Sequence, residues 1–215
     1  MAEGSHPKFV IVAQAVRLRV YSMAMAAPGS PSNIDVALRR IVDGTLYYFR
    51  DWPNPAVPAV AAGLYSVWQG SRLIYVGMSG RGLSVADLER HRNENSGDRG
   101  LATRLASHVA GRRSGDQFCV YVADRLVLPT LTSADIEAIG AGSMSMDLKV
   151  REFIHRELSY RFALVGDGHE ALTLERRARA GALGCGGPLL NPFPEQRRRK
   201  PEKGVQRLFT GVGQG

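Results

Sequence analysis

Cysteine is almost missing from this chain of 215 residues, which holds only Cys119 and Cys185. Two cysteines cannot staple a small secreted scaffold, and they cannot build a zinc finger, which needs about four clustered cysteine or histidine ligands. Long hydrophobic runs are missing as well, since none approaches the roughly 18–20 apolar residues that span a bilayer. The short apolar stretch 9–16 also lacks the basic segment that precedes it in a secretory signal. We therefore expect no membrane partner and a reducing, cytoplasmic location.

Acidic residues are in the minority, with 20 Asp and Glu against 28 Lys and Arg, for a net charge of +8. Most of the excess lies in segments 90–113 and 195–207, and such clustering favours contact with a polyanion such as nucleic acid. A solvated helix face and a basic tail would explain the same charges without a partner. The candidate phosphate-contacting residues are Arg81, Arg90, Arg92, Arg99, Arg112, Arg113, Arg197, Arg198, Arg199 and Lys200.

Hydrophobic residues make up 44% of the chain, which is enough for one main domain with a core. Two short apolar runs, 63–68 and 73–77, flank a glycine-containing turn and predict a β-hairpin. Helical spacing and capping residues predict further elements on both sides of it. The predicted helices are 33–42, 101–112, 133–139, 146–158 and 170–180, and the further strands are 118–122 and 160–165. We expect an α+β fold with a small antiparallel or mixed sheet flanked by helices.

Several side chains have the chemistry that phosphodiester hydrolysis requires: a base for water, a cation for the phosphoryl oxygens and a carboxylate for a metal ion. Arg104 and His108 are four residues apart on a predicted helix, so they project from the same face. Each candidate also has an ordinary structural explanation, such as a half-buried strand tyrosine or a surface ion pair. The candidates are Tyr65, Tyr75, Arg104, His108, Glu175 and Asn191.

The order of these residues resembles the GIY-YIG nuclease superfamily. Gly63-Leu64-Tyr65 and Tyr75-Val76-Gly77 are similar to its paired signature, and Arg104-xxx-His108 follows as in its restriction-enzyme branch. Glu175, on a later predicted helix, and the closing motif 188–191 complete the likeness, which covers about residues 63–192. The resemblance implies an α+β nuclease core and phosphodiester hydrolysis.

The resemblance also implies a role for each matched residue. Tyr65 would be the general base or would position the water, with help from His108, and Tyr75 would orient the water or the scissile phosphate. Arg104 would neutralise charge on the phosphate in the transition state. Glu175 would be the only protein ligand of one Mg²⁺ or Mn²⁺ ion per active site, an arrangement that suits Mg²⁺ because this ion keeps several waters. Asn191 would hold a phosphate or brace the site.

Two features depart from the family pattern. Many relatives carry lysine directly after the second motif, where this chain has Met78, and Arg81 would then compensate. The interval between His108 and Glu175 is long. Its helical region, about 133–158, has the character of an insertion that carries substrate recognition. We therefore divide the chain into an extension for DNA binding or dimerisation (1–62), a nuclease core (63–192) and a basic tail (193–215).

The interpretation that fits best is a stand-alone restriction-type endonuclease. Its partner would be double-stranded DNA, and a homodimer would be the simplest way to cut both strands, because one metal site cuts one strand. Two alternatives stay open. One is a DNA-binding or regulatory protein on an inactive nuclease core, and the other is a repair or RNA nuclease of the same family.

Overall fold

Alternating apolar and small residues build a sheet that contains the predicted hairpin. The structure, a computed structural model, describes residues 33–191. Most of the predicted extension, 1–32, and the predicted basic tail with Arg197, Arg198, Arg199 and Lys200 lie outside that range. The strands are β1 (Tyr47–Tyr48), β2 (Val60–Gln69), β3 (Arg72–Ser79), β4 (Arg99–Gly100) and β5 (Leu158–Val165).

The helices surround this sheet and occur on both sides of the hairpin in the sequence. They are α1 (Asn33–Asp43), α2 (Val85–Asn93), α3 (Leu101–Ala110), α4 (Gln117–Val122), α5 (Ser133–Gly140), α6 (Met146–Glu157) and α7 (Gly168–Arg177). Within residues 33–191, none of them is both long and apolar enough to cross a membrane.

The strands form one sheet in the order β1-β5-β2-β3. These neighbours are all antiparallel, and only the two-residue β4 runs parallel, beside the start of β2. Gly70 and Ser71 close the β2–β3 hairpin, and Gly70 has a φ of 56°, as a tight turn there requires. The expected α+β class with a small sheet flanked by helices is thus confirmed.

Side chains of β2 alternate between two packing layers. Tyr65 and Val67 point to a cluster with residues of α3, α4 and α6, whereas Leu64 and Trp68 point to a cluster with residues of α1 and α7. The sheet is therefore covered on both faces. The face of Tyr65 is the one that carries the predicted site, because α3 brings His108 to this side.

The predicted strand 118–122 is wrong, because these residues lie in α4, and a π-helical segment, Ala123–Val127, follows them. A short apolar run fits a buried helix as well as a strand, so periodicity could not separate the two. The Asp116 side chain decides the local geometry, since it accepts a hydrogen bond from the Phe118 amide and caps the helix. Phe118 and Val122, one turn apart, are then both buried in the core.

The ends of two predicted helices also shift. The helix predicted over 101–112 stops at Ala110, and its N-cap is Gly100. Gly100 has a φ of 72°, and a side chain there would run into the backbone of Ala61 in β2. The last predicted helix, 170–180, begins earlier, at Gly168, with Asp167 as its cap, and ends in a π-helical turn, Ala178–Ala182.

The region expected to be an insertion, about 133–158, contains two helices with different roles. The second, α6, buries Val150 and Ile154 in the core that includes Tyr65. The first, α5, contributes no buried residue and exposes Ile136. Only α5 therefore has the character of an added surface element, and its role in substrate recognition stays a prediction.

Candidate active site

A cavity of about 290 Å³ opens between the hairpin and three helices. Its walls come from β2, β3 and the loop that follows β3, from α3 and α7, and from the first residues of α4. These elements come from separate parts of the sequence, so only the fold brings their polar side chains together. Five of the six residues predicted to be catalytic line the cavity together with Arg81. They are Tyr65, Tyr75, Arg104, His108 and Glu175.

The position of the Tyr65 ring requires a glycine on the neighbouring strand. It pairs directly with Gly77 of β3, and a Cβ at Gly77 would run into the Tyr65 ring and its hydroxyl. Strand pairing places the two residues on the same face of the sheet, so the missing side chain leaves room for the phenol. The Tyr65 side chain is thus nearly fully buried while still lining the cavity.

The Tyr65 hydroxyl begins a chain of hydrogen bonds through His108 to Asp116, and both of these residues also line the cavity. Its Oη lies 2.7 Å from Nε2 of His108, and Nδ1 of His108 lies 2.6 Å from Oδ2 of Asp116. The same Asp116 oxygen accepts a 2.8 Å bond from the Ser107 hydroxyl. The Tyr65 hydroxyl is thus within hydrogen-bond distance of an imidazole whose other ring nitrogen contacts a carboxylate.

The environment sets the charges along this chain. Burial lowers the pKa of His108, although the hydrogen bond and charge of Asp116 oppose the effect. Burial alone would raise the pKa of Asp116, but the hydrogen bond and charge of His108, with bonds from Ser107 and the Phe118 amide, hold this pKa below its usual value. We infer an ionised Asp116 beside a neutral imidazole at neutral pH, which leaves His108 able to accept a proton.

The two tyrosines do not ionise easily in this cavity. Burial, and then the neighbouring Tyr75, raises the pKa of Tyr65 well above its ordinary value. Burial and then Glu175 raise the pKa of Tyr75 to about 12. A phenol can serve as a base either through a lowered pKa or by passing its proton onward. Only the second route fits Tyr65, and the imidazole 2.7 Å away supplies it.

Tyr75 lies beside this chain of hydrogen bonds. Its ring centre is 6.2 Å from that of Tyr65, and it meets the Phe118 ring edge-on at 5.0 Å. Phe118 in turn contacts the His108 ring at 4.4 Å between centres. These aromatic contacts fix the positions of the rings around the imidazole, and they hold Tyr75 where it lines the cavity.

Two guanidinium groups face the cavity without a protein partner in the described part of the chain. Arg104 and Arg81 are both exposed, and neither side chain makes a hydrogen bond or ion pair with any residue between 33 and 191. The loop that carries Arg81 is held in place, since Leu83 accepts a 2.9 Å bond from the Gly168 amide at the start of α7. Both cations are therefore available to an anion that enters the cavity.

Glu175 brings a carboxylate to the same cavity from α7. Its side chain is 13% exposed, and Oε1 lies 3.5 Å from Nη1 of Arg179. Burial raises the pKa of Glu175, and the charges of Arg179 and Arg81 counteract the effect. In residues 33–191, no three metal-ligating side chains cluster together. One carboxylate with water and substrate oxygens is nevertheless a donor set that Mg²⁺ accepts, so Glu175 fits a single-carboxylate ion site.

Asn191 does not line the cavity, unlike the other predicted catalytic residues. Its side chain is buried, with Oδ1 accepting from the Val76 amide at 3.2 Å and Nδ2 donating to the Val76 carbonyl at 2.6 Å. The Leu190 amide bonds the Ile74 carbonyl at 2.8 Å, so this segment covers the outer edge of β3. The Asn191 carbonyl also accepts from Nε of Arg179, which connects it to Glu175. Of the two expected roles, its contacts match bracing the site.

Most of the other predicted phosphate-contacting arginines lie away from the cavity. Arg90 pairs with Asp87, Arg113 pairs with Asp147 at 2.6 Å, and Arg92 donates to a backbone carbonyl. Among the residues that the structure describes, the side chains of Arg99 and Arg112 make no such bond, and both are exposed. Arg81 is the one described member of this predicted set that lines the cavity.

Asp116 is the main site residue that the sequence pattern did not identify. The dipeptide Gly115-Asp116 before an apolar run is a helix-start signal that would have predicted the cap and α4. No local signal links Asp116 to His108, because that contact depends on the turn Gly111–Gly115 folding the carboxylate back against α3.

Comparison of the chain with known protein families, with curated proteins and with solved structures finds no match. The functional argument therefore depends on the residues and on the geometry of this cavity.

Proposed function

We propose that the protein is a metal-dependent endonuclease that hydrolyses phosphodiester bonds in double-stranded DNA. The observation that carries the proposal is the hydrogen-bond chain from Tyr65 through His108 to Asp116, which starts at a cavity that also holds Arg104 and Glu175. A base, a cation and a carboxylate around one small space are the groups that this hydrolysis requires.

The proposed proton path begins at a water molecule beside Tyr65. Tyr65 Oη takes a proton from the water and passes its own proton to Nε2 of His108, so that hydroxide attacks phosphorus as the imidazole becomes charged. The ionised Asp116 stabilises this imidazolium. The P–O bond opposite the attacking oxygen breaks, and the leaving oxygen is protonated from solvent. No tyrosinate has to accumulate, in agreement with the raised pKa of Tyr65.

The other residues bind the phosphate and the ion in this proposal. The guanidinium groups of Arg104 and Arg81 would bind the non-bridging oxygens and the charge that develops on them. Glu175 would hold one Mg²⁺ or Mn²⁺, and the ion would supply a Lewis acid for the phosphate. Tyr75 would orient the water or the phosphate from β3.

The restriction-type assignment depends on the resemblance to the GIY-YIG nucleases and on the basic charge of the chain. One site of this kind cuts one strand, so a homodimer with two-fold symmetry is the proposed form on double-stranded DNA. A cytoplasmic location accompanies this proposal, as the expected reducing environment of a chain with two cysteines.

The decisive experiment is cleavage of a supercoiled plasmid by the purified protein with Mg²⁺, with Mn²⁺ and with EDTA. We expect nicked and then linear plasmid with either ion and intact plasmid in EDTA. Parallel reactions with single-stranded DNA and with RNA of the same sequence test the substrate class. Binding of the plasmid without cleavage under any ion condition would contradict the endonuclease and support the DNA-binding or regulatory alternative.

A further inference from the structure

The two carboxylate oxygens of Asp116 have different partners. Oδ1 accepts a 3.0 Å hydrogen bond from the Phe118 amide, as the cap of α4. Oδ2 lies 2.6 Å from Nδ1 of His108, and it accepts a 2.8 Å hydrogen bond from the Ser107 hydroxyl. The side chains of Asp116 and His108 are 2% and 1% exposed, so solvent does not compete for these contacts.

This arrangement decides which ring nitrogen of His108 carries the proton. An ionised carboxylate accepts hydrogen bonds and cannot donate them, so Nδ1 has to be the protonated nitrogen. Nε2 is then the nitrogen with the free lone pair, and it faces Tyr65 Oη. The opposite tautomer would place two lone pairs against each other at Asp116, and it would leave Nε2 unable to take a proton from the tyrosine.

We propose that Asp116 is a positioning residue that holds His108 in the Nδ1–H tautomer, with Nε2 aimed at the Tyr65 hydroxyl. The proposal builds on the nuclease function proposed above, because Asp116 acts through His108 and does not itself touch the phosphate. It adds a third member to the pair Tyr65 and His108.

The same contact offsets an unfavourable charge when His108 takes the proton. The groups that face the imidazole are the Tyr65 hydroxyl, Arg104 one turn earlier on α3, the rings of Tyr75 and Phe118, and Asp116. Burial and Arg104 both disfavour an imidazolium here. Among the residues that the structure describes, Asp116 is the one negative charge bonded to the ring, so its loss would leave the imidazolium without this counter-charge.

The helix cap makes Asp116→Asn an informative test. The cap requires an oxygen toward the Phe118 amide, so the Asn amide group has to point its NH₂ at the position of Oδ2. That NH₂ is a donor toward Nδ1 of His108, which reverses the tautomer and places a hydrogen on Nε2. The variant keeps the cap and the shape of the side chain, so we expect the fold to survive while Nε2 loses its lone pair.

The first measurement is the tautomer of His108 by NMR of ¹⁵N-histidine-labelled protein, with its signals assigned by their loss in His108→Gln. We expect a protonated Nδ1 in the wild type and a protonated Nε2 in Asp116→Asn. A wild-type signal from an Nε2–H ring would overturn the proposal, and this result does not depend on whether the variant folds or on nuclease activity.

The second measurement is single-turnover cleavage of plasmid DNA with Mg²⁺. We expect Asp116→Asn to cut about 10²–10⁴-fold more slowly, with DNA affinity unchanged, because a positioned proton acceptor is removed. The matched control is Ser107→Ala, which removes the other donor to the same oxygen and should change neither the tautomer nor the rate by more than a few fold. A native rate in an Asp116→Asn protein with the reversed tautomer would contradict the role of Asp116. Absence of cleavage by the wild type, with the expected tautomer present, would instead contradict the nuclease function.

Discussion

At the scale of single residues, the surroundings of Tyr65 decide what its hydroxyl can do. Gly77 gives the ring its space, burial disfavours the phenolate, and His108 lies within hydrogen-bond distance. A tyrosine in a solvated strand would have none of these restrictions. In the proposed mechanism this combination leaves proton transfer to His108 as the route for the hydroxyl, so that Tyr65 and His108 would act as one unit.

The unit can be tested by removing each half. Tyr65→Phe deletes the hydroxyl that contacts His108, and we expect the chemical step to slow by about 10²–10⁴-fold with DNA affinity retained. His108→Ala should slow it comparably. The double variant should lose far less than the product of the two effects, because both residues act in one proton path. Single-turnover cleavage with saturating enzyme measures this, and a native rate for Tyr65→Phe would place the base elsewhere, with Tyr75 as the first candidate.

The buried His108 also predicts how stability depends on pH. Burial lowers its pKa in the folded protein, whereas in the unfolded chain the imidazole titrates at its ordinary value of about 6.5. Above that pH neither state binds the proton. As the pH falls below about 6.5 the unfolded chain binds it first, so the free energy of unfolding falls, by at most about 1.4 kcal/mol per pH unit, until the folded pKa is reached.

Urea unfolding of the wild type and of His108→Gln between pH 8 and pH 5 measures this dependence. We expect the wild type to lose more stability on acidification than the variant, which has no imidazole at this position. Equal losses in the two proteins would mean that His108 has the same pKa folded and unfolded.

Glu175 should separate metal-dependent chemistry from DNA binding. Glu175→Gln keeps the size of the side chain but removes the charge that an ion requires, so we expect cleavage to be abolished. Binding should persist, because Arg104 and Arg81 remain at the cavity. Plasmid cleavage and a DNA mobility shift, each with and without Mg²⁺, measure the two properties. Full Mg²⁺-dependent cleavage by this variant would contradict the assignment of the ion to Glu175.

At the scale of elements, β3 connects the core to the site. Its inner side pairs with β2 and so places Gly77 against Tyr65. Its outer edge is covered by residues 189–191, where Asn191 bonds both backbone groups of Val76. An uncovered edge strand invites pairing with another chain. The closing motif therefore protects an edge and fixes the strand that carries Tyr75.

The close approach at β3 predicts a large effect from one methyl group. In Gly77→Ala the new Cβ would collide with the Tyr65 ring and hydroxyl and with the Tyr75 ring, so the Tyr65 hydroxyl has to shift from its present position beside His108. We expect a loss of stability of about 1–3 kcal/mol, typical of overpacking, together with a slower chemical step. Gly140→Ala is the matched control, because a Cβ at the end of α5 meets nothing within 4 Å.

Thermal unfolding and single-turnover cleavage of both variants measure these effects. The free energy of unfolding of Gly140→Ala should lie within a few tenths of a kcal/mol of the wild-type value. Its cleavage rate should lie within a few fold of the wild-type rate. A Gly77→Ala protein that is as stable and as active as this control would show that Tyr65 can move without cost.

At the scale of the whole molecule, most of the described basic residues do not lie at the cavity. Among the described arginines of the basic segments and the β3 loop, Arg81 and Arg104 line the cavity, while Arg90 and Arg113 form ion pairs on the protein surface. Surface pairs of this kind are weak, and phosphate can replace them. A DNA path across the surface remains a proposal that depends on charge, as does the role of the basic tail.

The contribution of the basic tail to DNA binding can be tested by removing its charge or by removing the tail itself. Replacing Arg197, Arg198, Arg199 and Lys200 with Gln keeps the length of the chain, and truncation after Pro194 removes the tail altogether. We expect both changes to weaken DNA binding. The slope of log binding constant against log salt concentration should become shallower by about 0.9 for each phosphate that the tail no longer neutralises, because each neutralised phosphate releases counterions. The cleaved sequence should not change, since phosphate contacts carry no base information. Relaxed specificity with unchanged affinity would contradict this.

Local signals in the sequence determined much of the fold. Apolar alternation around Gly70 defined the hairpin, and helical spacing identified α1, α3, α5 and α6. These elements depend on neighbours within a few residues along the chain, so periodicity and capping residues carry them. The five residues that line one cavity lie far apart in the chain, and they were selected by the resemblance of their order to the GIY-YIG pattern. The identity of the chemistry they perform remains a proposal.

Tertiary structure decided most of the rest. By periodicity the run 118–122 satisfies a helix and a strand equally, and the local cap from Asp116 together with burial beside α3 selected the helix. The contact of Asp116 with His108, the pairing of Asn191 with Val76 and the engagement of Arg113 by Asp147 all join residues whose separation leaves no periodic trace. A sequence fixes the donors and acceptors that a chain has, but which of them meet depends on how the helices pack on the sheet, because a hydrogen bond requires its two atoms within about 3 Å of each other.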